Sequence, residues 1–301
     1  MITYKDNNLF QIKIDYESGR EQPSLIFKTM YDVIESFQYV DKCVINIFPT
    51  KIESNYLLKN IEVGSIKTII STVLKSIDDD ALKNLEWKKI IGSFLVKAKH
   101  KILEKIDNKE EFTDINQVKE LSNDILILAE NTGILTFPTY TSIPQKLLLN
   151  SILRLNSSIK YLNPEEQVYL ISDEGEVKIN KSFIISEEII EDLLTKETQT
   201  FTIELILRIK KPDYIGTSMW DVQCNNKIIP VKIIDYEWLN KFQNRKIDVL
   251  PGDSIRAIVE TTYFYGYDYS LVNEHYVVTN IIEVIKEYER KEYKQIDITN
   301  L

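Results

Sequence analysis

A chain of 301 residues, 44% hydrophobic and 28% charged, has the composition of a globular protein with a full core, which sets aside disorder and fibrous repeats. Its length suits one large or two ordinary domains. The net charge of −9 is uneven: residues 1–172 carry 21 basic against 23 acidic side chains and residues 173–301 carry 16 against 23, which argues against a broad nucleic-acid footprint in the second half.

The N-terminus lacks the apolar core of a signal peptide, and no apolar run approaches the ~20 residues that span a bilayer. The expected setting is cytoplasmic, with no membrane partner. Cys43 and Cys224 lie far apart without metal-ligand spacing and read as reduced thiols.

In chain order, Leu9–Tyr16 alternates Phe10, Ile12, Ile14 and Tyr16 with polar residues, the mark of a half-buried strand. Pro23-Ser24 opens a helix with Ile26, Met30, Val33, Ile34 and Phe37 on one face, and Cys43–Phe48 and Tyr56–Val63 read as strands. After Gly64-Ser65, the spacing of Ile66, Ile69, Ile70, Val73, Leu74 and Ile77 predicts a helix capped by Ser65. Such a junction can hold a phosphate, but capping alone accounts for it. Asp78-Asp79-Asp80 reads as another cap rather than a metal site.

A long amphipathic helix is expected over Trp87–Ile106, with Lys88, Lys89, Lys97, Lys99, Lys101 and Lys105 on its polar side beside His100. Lys88, Lys89, Lys97, Lys99 and Lys101 are the candidate phosphate contacts, set against an ordinary solvated face. Two further helices follow near Asp114–Asn131 and Pro144–Tyr161, separated by a proline-containing loop. Val168–Ile171 and Glu176–Ile179 form a hairpin around Asp173-Glu174-Gly175, and Glu187–Leu194 is a short helix.

From Phe201 the pattern changes. Phe201–Ile209 alternates as a strand, followed by strands at Met219–Gln223, Ile228–Ile234 and Ser254–Glu260, each reached through Gly, Pro or Asn turns. Pro251-Gly252-Asp253 is a turn leading into a barrel strand. The run Tyr263–Tyr269 holds five aromatics in seven residues. Either Tyr263, Phe264 and Tyr265 pack on the barrel with only the tip exposed, or the segment is a partner-binding loop, with Tyr263, Tyr265, Tyr267 and Tyr269 as its candidate contacts. Apolar alternation resumes from Val277 to Ile285, ahead of a densely charged C-terminal stretch.

No catalytic constellation emerges. The chain has two histidines, His100 and His275, and no HExxH, paired-cysteine, GxSxG or Walker motif. Ser157-Ser-Ile-Lys160 matches SxxK without the companion elements of serine acyl-transfer enzymes. Pro212-Asp213 has no ExK at the spacing a nuclease of that kind needs. Asp213, Asp221, Asp235 and Glu237 remain an alternative: carboxylates that could converge on a divalent metal in a hydrolase or nuclease.

Ile61-Glu-Val-Gly-Ser-Ile66, Trp87-Lys-Lys-Ile-Ile-Gly92 and Lys211-Pro-Asp-Tyr-Ile-Gly-Thr-Ser-Met-Trp220 together resemble uncharacterised bacterial proteins of mobile and phage-defence gene neighbourhoods. The resemblance implies an accessory or sensor role and transfers no catalytic residue. The sequence thus reads as α+β: a helical domain with a small sheet over residues 1–164, then a small β-barrel-like domain over residues 165–301. The expected function is non-catalytic binding or assembly, as a subunit of a bacterial defence complex. A protein partner or homo-oligomer is expected, with nucleic acid disfavoured and no cofactor or metal implied.

Overall fold

The computed structural model describes residues 8–48, 51–62, 66–76, 86–131 and 142–287. The chain divides into two units, residues 1–193 and 194–301. The Gly64-Ser65 junction, the Asp78–Asp80 run, most of the loop before Pro144 and the chain beyond Glu287 lie outside the described residues.

The first unit carries an antiparallel sheet of β1 (Leu9–Asp15), β2 (Ile52–Glu62), β3 (Ile66–Ser76), β4 (Gln167–Ser172) and β5 (Gly175–Lys178), in the order β2-β3-β1-β4-β5. Phe10, Ile12 and Ile14 of the central strand are fully buried. The predicted helix over Ile66–Ile77 is instead β3. Thr68, Ile70, Thr72 and Leu74 form a buried period-2 series, and the two threonines in it disguise the alternation as a helical stripe. Six of its eleven residues are β-branched, which favours the strand.

The expected strand at Cys43–Phe48 is also corrected. The helix α1 (Ser24–Ile45) runs on because Val33, Phe37, Val40 and Val44 keep helical spacing and no Gly or Pro interrupts them. The hairpin β4–β5 does not open the second domain: β4 pairs with β1, so the first unit extends past residue 164 to Leu193. The remaining helices of this unit are α2 (Trp87–Asp107), α3 (Ile115–Asn131), α4 (Gln145–Ser158) and α5 (Glu187–Leu194), whose last residue begins the second unit.

A buried ion pair lies inside the first unit. Lys99 of α2 and Asp41 of α1 are fully buried and pair with each other. The Lys99 ammonium also donates to the Leu95 carbonyl at 3.3 Å and lies 5.0 Å from the Phe10 ring centre, while Ser54 donates to Asp41 at 3.1 Å. Burial pulls the lysine pKa down and pushes the aspartate up, each opposed by the partner's charge. Lys99→Met alone leaves an uncompensated buried carboxylate and should cost about 3–5 kcal/mol in urea denaturation. Replacing both partners, Lys99→Met with Asp41→Leu, should recover most of that loss.

The Glu166 carboxylate ties two chain segments together. It is buried, pairs with Arg20, and accepts from the amides of Asn163 at 2.8 Å and Glu17 at 3.3 Å. Burial alone would raise its pKa, but those donors outweigh it and hold the carboxyl below its usual range. Its stabilisation is therefore complete above the unfolded pKa and fades as pH falls through the folded one. Thermal melts should show wild-type stability dropping below roughly pH 4.3, with a flatter acid limb for a Glu166→Gln variant that is weaker at neutral pH.

The second unit is a closed barrel of β6 (Thr195–Lys211), β7 (Trp220–Cys224), β8 (Lys227–Ile233), β9 (Ser254–Gly266) and β10 (Leu271–Ile285). Its order is β10-β8-β7-β6-β9, with β10 and β8 parallel and the other pairings antiparallel. Asn225 and Asn226, both at positive φ (45° and 65°), make the tight β7–β8 turn. A helix missed by the sequence reading, α6 (Tyr236–Gln243), contributes Leu239 and Phe242 to the barrel core. Its Phe242 ring stacks on Trp238 at 5.7 Å and lies 5.0 Å from Trp220. Five strands close in this order, with α6 lying between β8 and β9 in the chain.

Candidate functional site

The five candidate lysines of α2 do not share a face. Helical residues two apart point to opposite sides, so Lys97 and Lys99 diverge. Lys99 is buried against Asp41, which removes it as a phosphate contact. Lys97 lies 3.6 Å from Glu174 and the flanking Lys105 3.0 Å from Glu120. Lys101 is half-buried, while Lys88 and Lys89 are exposed in the first turn. His100 is buried too, its Nε2 2.9 Å from the Ser172 hydroxyl.

Three of the four candidate carboxylates make local contacts. Asp213 accepts from the amides of Ile215, Gly216 and Ser218 and from the Ser218 hydroxyl, and these bonds hold its carboxyl well below the usual range. The loop so ordered presents Ile215 at 93% exposure. Asp235 caps α6 by accepting from the Trp238 amide at 3.1 Å, and its other oxygen accepts from the Ile281 amide of β10 at 3.0 Å. Glu237 pairs with Lys241 on the exposed side of α6, and Asp221 sits on β7. Among the described residues, no group of three or more His, Cys, Asp or Glu side chains is placed to hold a metal ion.

The SxxK residues line a groove of about 620 Å³ along α1 and α4, with Lys28, Tyr39, Arg154 and Tyr161. The Lys160 ammonium rests 5.0 Å from the Tyr161 ring centre, and Arg154 lies 4.2 Å over Tyr39. Three cations there face Asp32, Glu35 and Glu187, so the groove carries balanced charge.

The aromatic segment is not a loop. β9 continues through Tyr263, Phe264 and Tyr265 to Gly266, and β10 returns from Leu271. With the first half of β6 they form a three-stranded ribbon beyond the barrel. β6 pairs with β9 from Thr195↔Gly266 to Arg208↔Ser254, but meets β7 only from Arg208 onward. β10 meets β8 only at Val277 and Val278. Nine consecutive β6 residues, Lys196–Glu204, are exposed, so neither face of that strand is covered.

One ribbon face carries Phe201, Ile203, Tyr263 and Tyr265. Phe201 and Ile203 are 50% and 42% exposed, the two tyrosines are half-buried, and the Phe201 and Tyr263 rings meet edge-on at 6.1 Å. Glu274, paired with Lys227, also bonds the Tyr276 hydroxyl beside them. The opposite face holds Thr200, whose hydroxyl is 3.2 Å from that of Thr262, and Phe264 against His275 at 4.7 Å. At the tip, Asp268 accepts from the Ser270 amide and hydroxyl, and Tyr269 adopts a left-handed φ of 60°. Tyr267 and Tyr269 are 47% and 69% exposed there.

Comparison with protein-family models, with curated proteins and with solved structures finds no match to this chain.

Because Asp235 supports both α6 and β10, Asp235→Ala should destabilise the barrel by about 1–2 kcal/mol, as loss of a helix cap does. The same loss should appear in thermal melts with and without added Mg²⁺ or Mn²⁺. A cation-dependent difference would return this carboxylate to the metal-site hypothesis.

Proposed function

We propose that the second unit is a protein-docking module and that the chain acts as a non-catalytic assembly or sensor subunit. The observation that carries this reading is the ribbon: strand residues exposed on both faces, edge backbone that no strand pairs with among the described residues, and tyrosines at the tip. An open strand edge is a template for another chain, and tyrosine supplies large contact area at low conformational cost. The resemblance to phage-defence neighbourhoods suggests a bacterial defence complex as the setting.

The nucleic-acid alternative loses its main support because the α2 lysines are dispersed and partly paired. The charge argument against it also shifts. Residues 173–193 carry 7 acidic and 2 basic side chains, whereas residues 194–301 carry 16 and 14, so the barrel unit is close to neutral. It offers neither strong repulsion of a phosphate backbone nor the excess of cations that drives such binding.

Placing a photo-crosslinking phenylalanine analogue at Tyr269, with a control at Glu237, tests the proposal in cells of the native host. A discrete protein adduct from the ribbon position alone is expected. Tyr269→Ala should weaken capture of that protein roughly tenfold, the scale of an exposed aromatic hot spot. Equal, diffuse labelling from both positions would remove the reading.

A further inference from the structure

The exposed run of β6 has an internal symmetry that points to its occupant. Pairing with a second copy about a two-fold axis perpendicular to the sheet would bring opposite one another residues whose numbers sum to an even value, because such an axis keeps each face on its own side. Only an axis through Thr200 lays all of Lys196–Glu204 over itself. In that register Lys196 faces Glu204 of the copy, Thr198 faces Thr202, and Thr200 faces itself. On the other face Glu197 meets Ile203 and Gln199 meets Phe201.

We infer that β6 forms the seam of an antiparallel homodimer, joining two three-stranded ribbons into one six-stranded sheet. The inference rests on the reading of the ribbon as an assembly surface and names the chain that covers its β6 edge. Charge supports the register. Lys196, Glu197 and Glu204 are the only charged residues in the run, and the axis sets the lysine opposite a glutamate at both ends while opposing no like charges. Threonine pairs and opposite-charge pairs are favourable cross-strand neighbours.

Both end groups already have contacts that the dimer would share. The Lys196 ammonium lies 4.5 Å from the Tyr269 ring centre and donates to its hydroxyl at 3.1 Å, and Glu204 accepts from Arg256 at 3.3 Å. A register shift between Thr195 and Glu197 marks a bulge at Lys196, beyond which the β6–β9 ladder resumes at Thr195↔Gly266. Pairing would set Gln199 beside Phe201 and Glu197 beside Ile203, covering one flank of each apolar side chain. Among the described residues, no strand pairs with this edge from Lys196 to Leu205.

Analytical ultracentrifugation of the full chain over a concentration series tests this directly. A reversible dimer is expected, with hydrogen exchange slowed across Lys196–Glu204 as it forms. Thr200→Lys sets two ammonium groups together at the axis and should give a monomer whose thermal midpoint does not vary with concentration and matches that of the diluted wild type. Lys196→Glu should weaken the dimer about tenfold by opposing like charges at both ends, and adding Glu204→Lys should restore most of it.

A wild-type monomer at every concentration would overturn the inference, as would a dimer that Thr200→Lys leaves intact. Should that variant fail to fold, the charge exchange decides: a dimer indifferent to both charge variants refutes the register. Crosslinking at Tyr269 separates this failure from that of the docking proposal. A monomer whose tip still captures another protein sinks only the dimer, and a dimer whose tip captures none sinks only the docking of a different partner.

Discussion

Strand length is the constraint on which the second unit depends. A closed barrel needs each strand to have two neighbours, yet β7 and β8 have 5 and 7 residues whereas β6, β9 and β10 have 17, 13 and 15. Closure therefore consumes only part of each long strand. The remainder keeps its pairing within the trio and leaves the barrel as a ribbon. Leu207, Ile209, Ile255, Ala257 and Val259 fill the core, while the same alternation carried onward puts Phe201, Ile203, Tyr263 and Tyr265 where little covers them.

Much of the fold was legible in the residues. Period-2 alternation marks β1 and the barrel strands, and helical spacing of apolar residues marks α1 and α2. The failures have local causes. In β3, threonine at buried positions broke the binary pattern, and in α1 a short β-branched segment hid a helix that no breaker ends. The helix α6 is obscured because Asp235 and Glu237 read as candidate metal carboxylates. Asp235 followed by helix formers is equally a cap signal. The hairpin β4–β5 is legible, but its partner β1 lies far away in sequence, so nothing local shows that it belongs to the first unit.

The candidate site was legible in composition and not in exposure. The tyrosine run drew attention, but whether its side chains were covered depended on how far β7 and β8 reach, a comparison between strands rather than a property of one segment. The α2 lysines show the reverse case. Helical geometry alone separates Lys97 from Lys99, but only Asp41 on another helix explains why a lysine occupies a position with no solvent. Carboxylates that seemed free to bind a metal instead organise turns: Asp213 its own loop, and Asp235 the start of α6 and the β10 amide at Ile281.

The ribbon has consequences for how such a chain can change over generations. Its residues add little to the barrel core, so paired insertions or deletions there avoid the packing cost that a core change would bring. Side-chain alternation still imposes a rule: length must vary in steps of two residues, roughly 7 Å, in all three strands together, or the aromatic and threonine faces exchange sides. The reach of this surface can thus vary in discrete increments while the barrel beneath it stays constant.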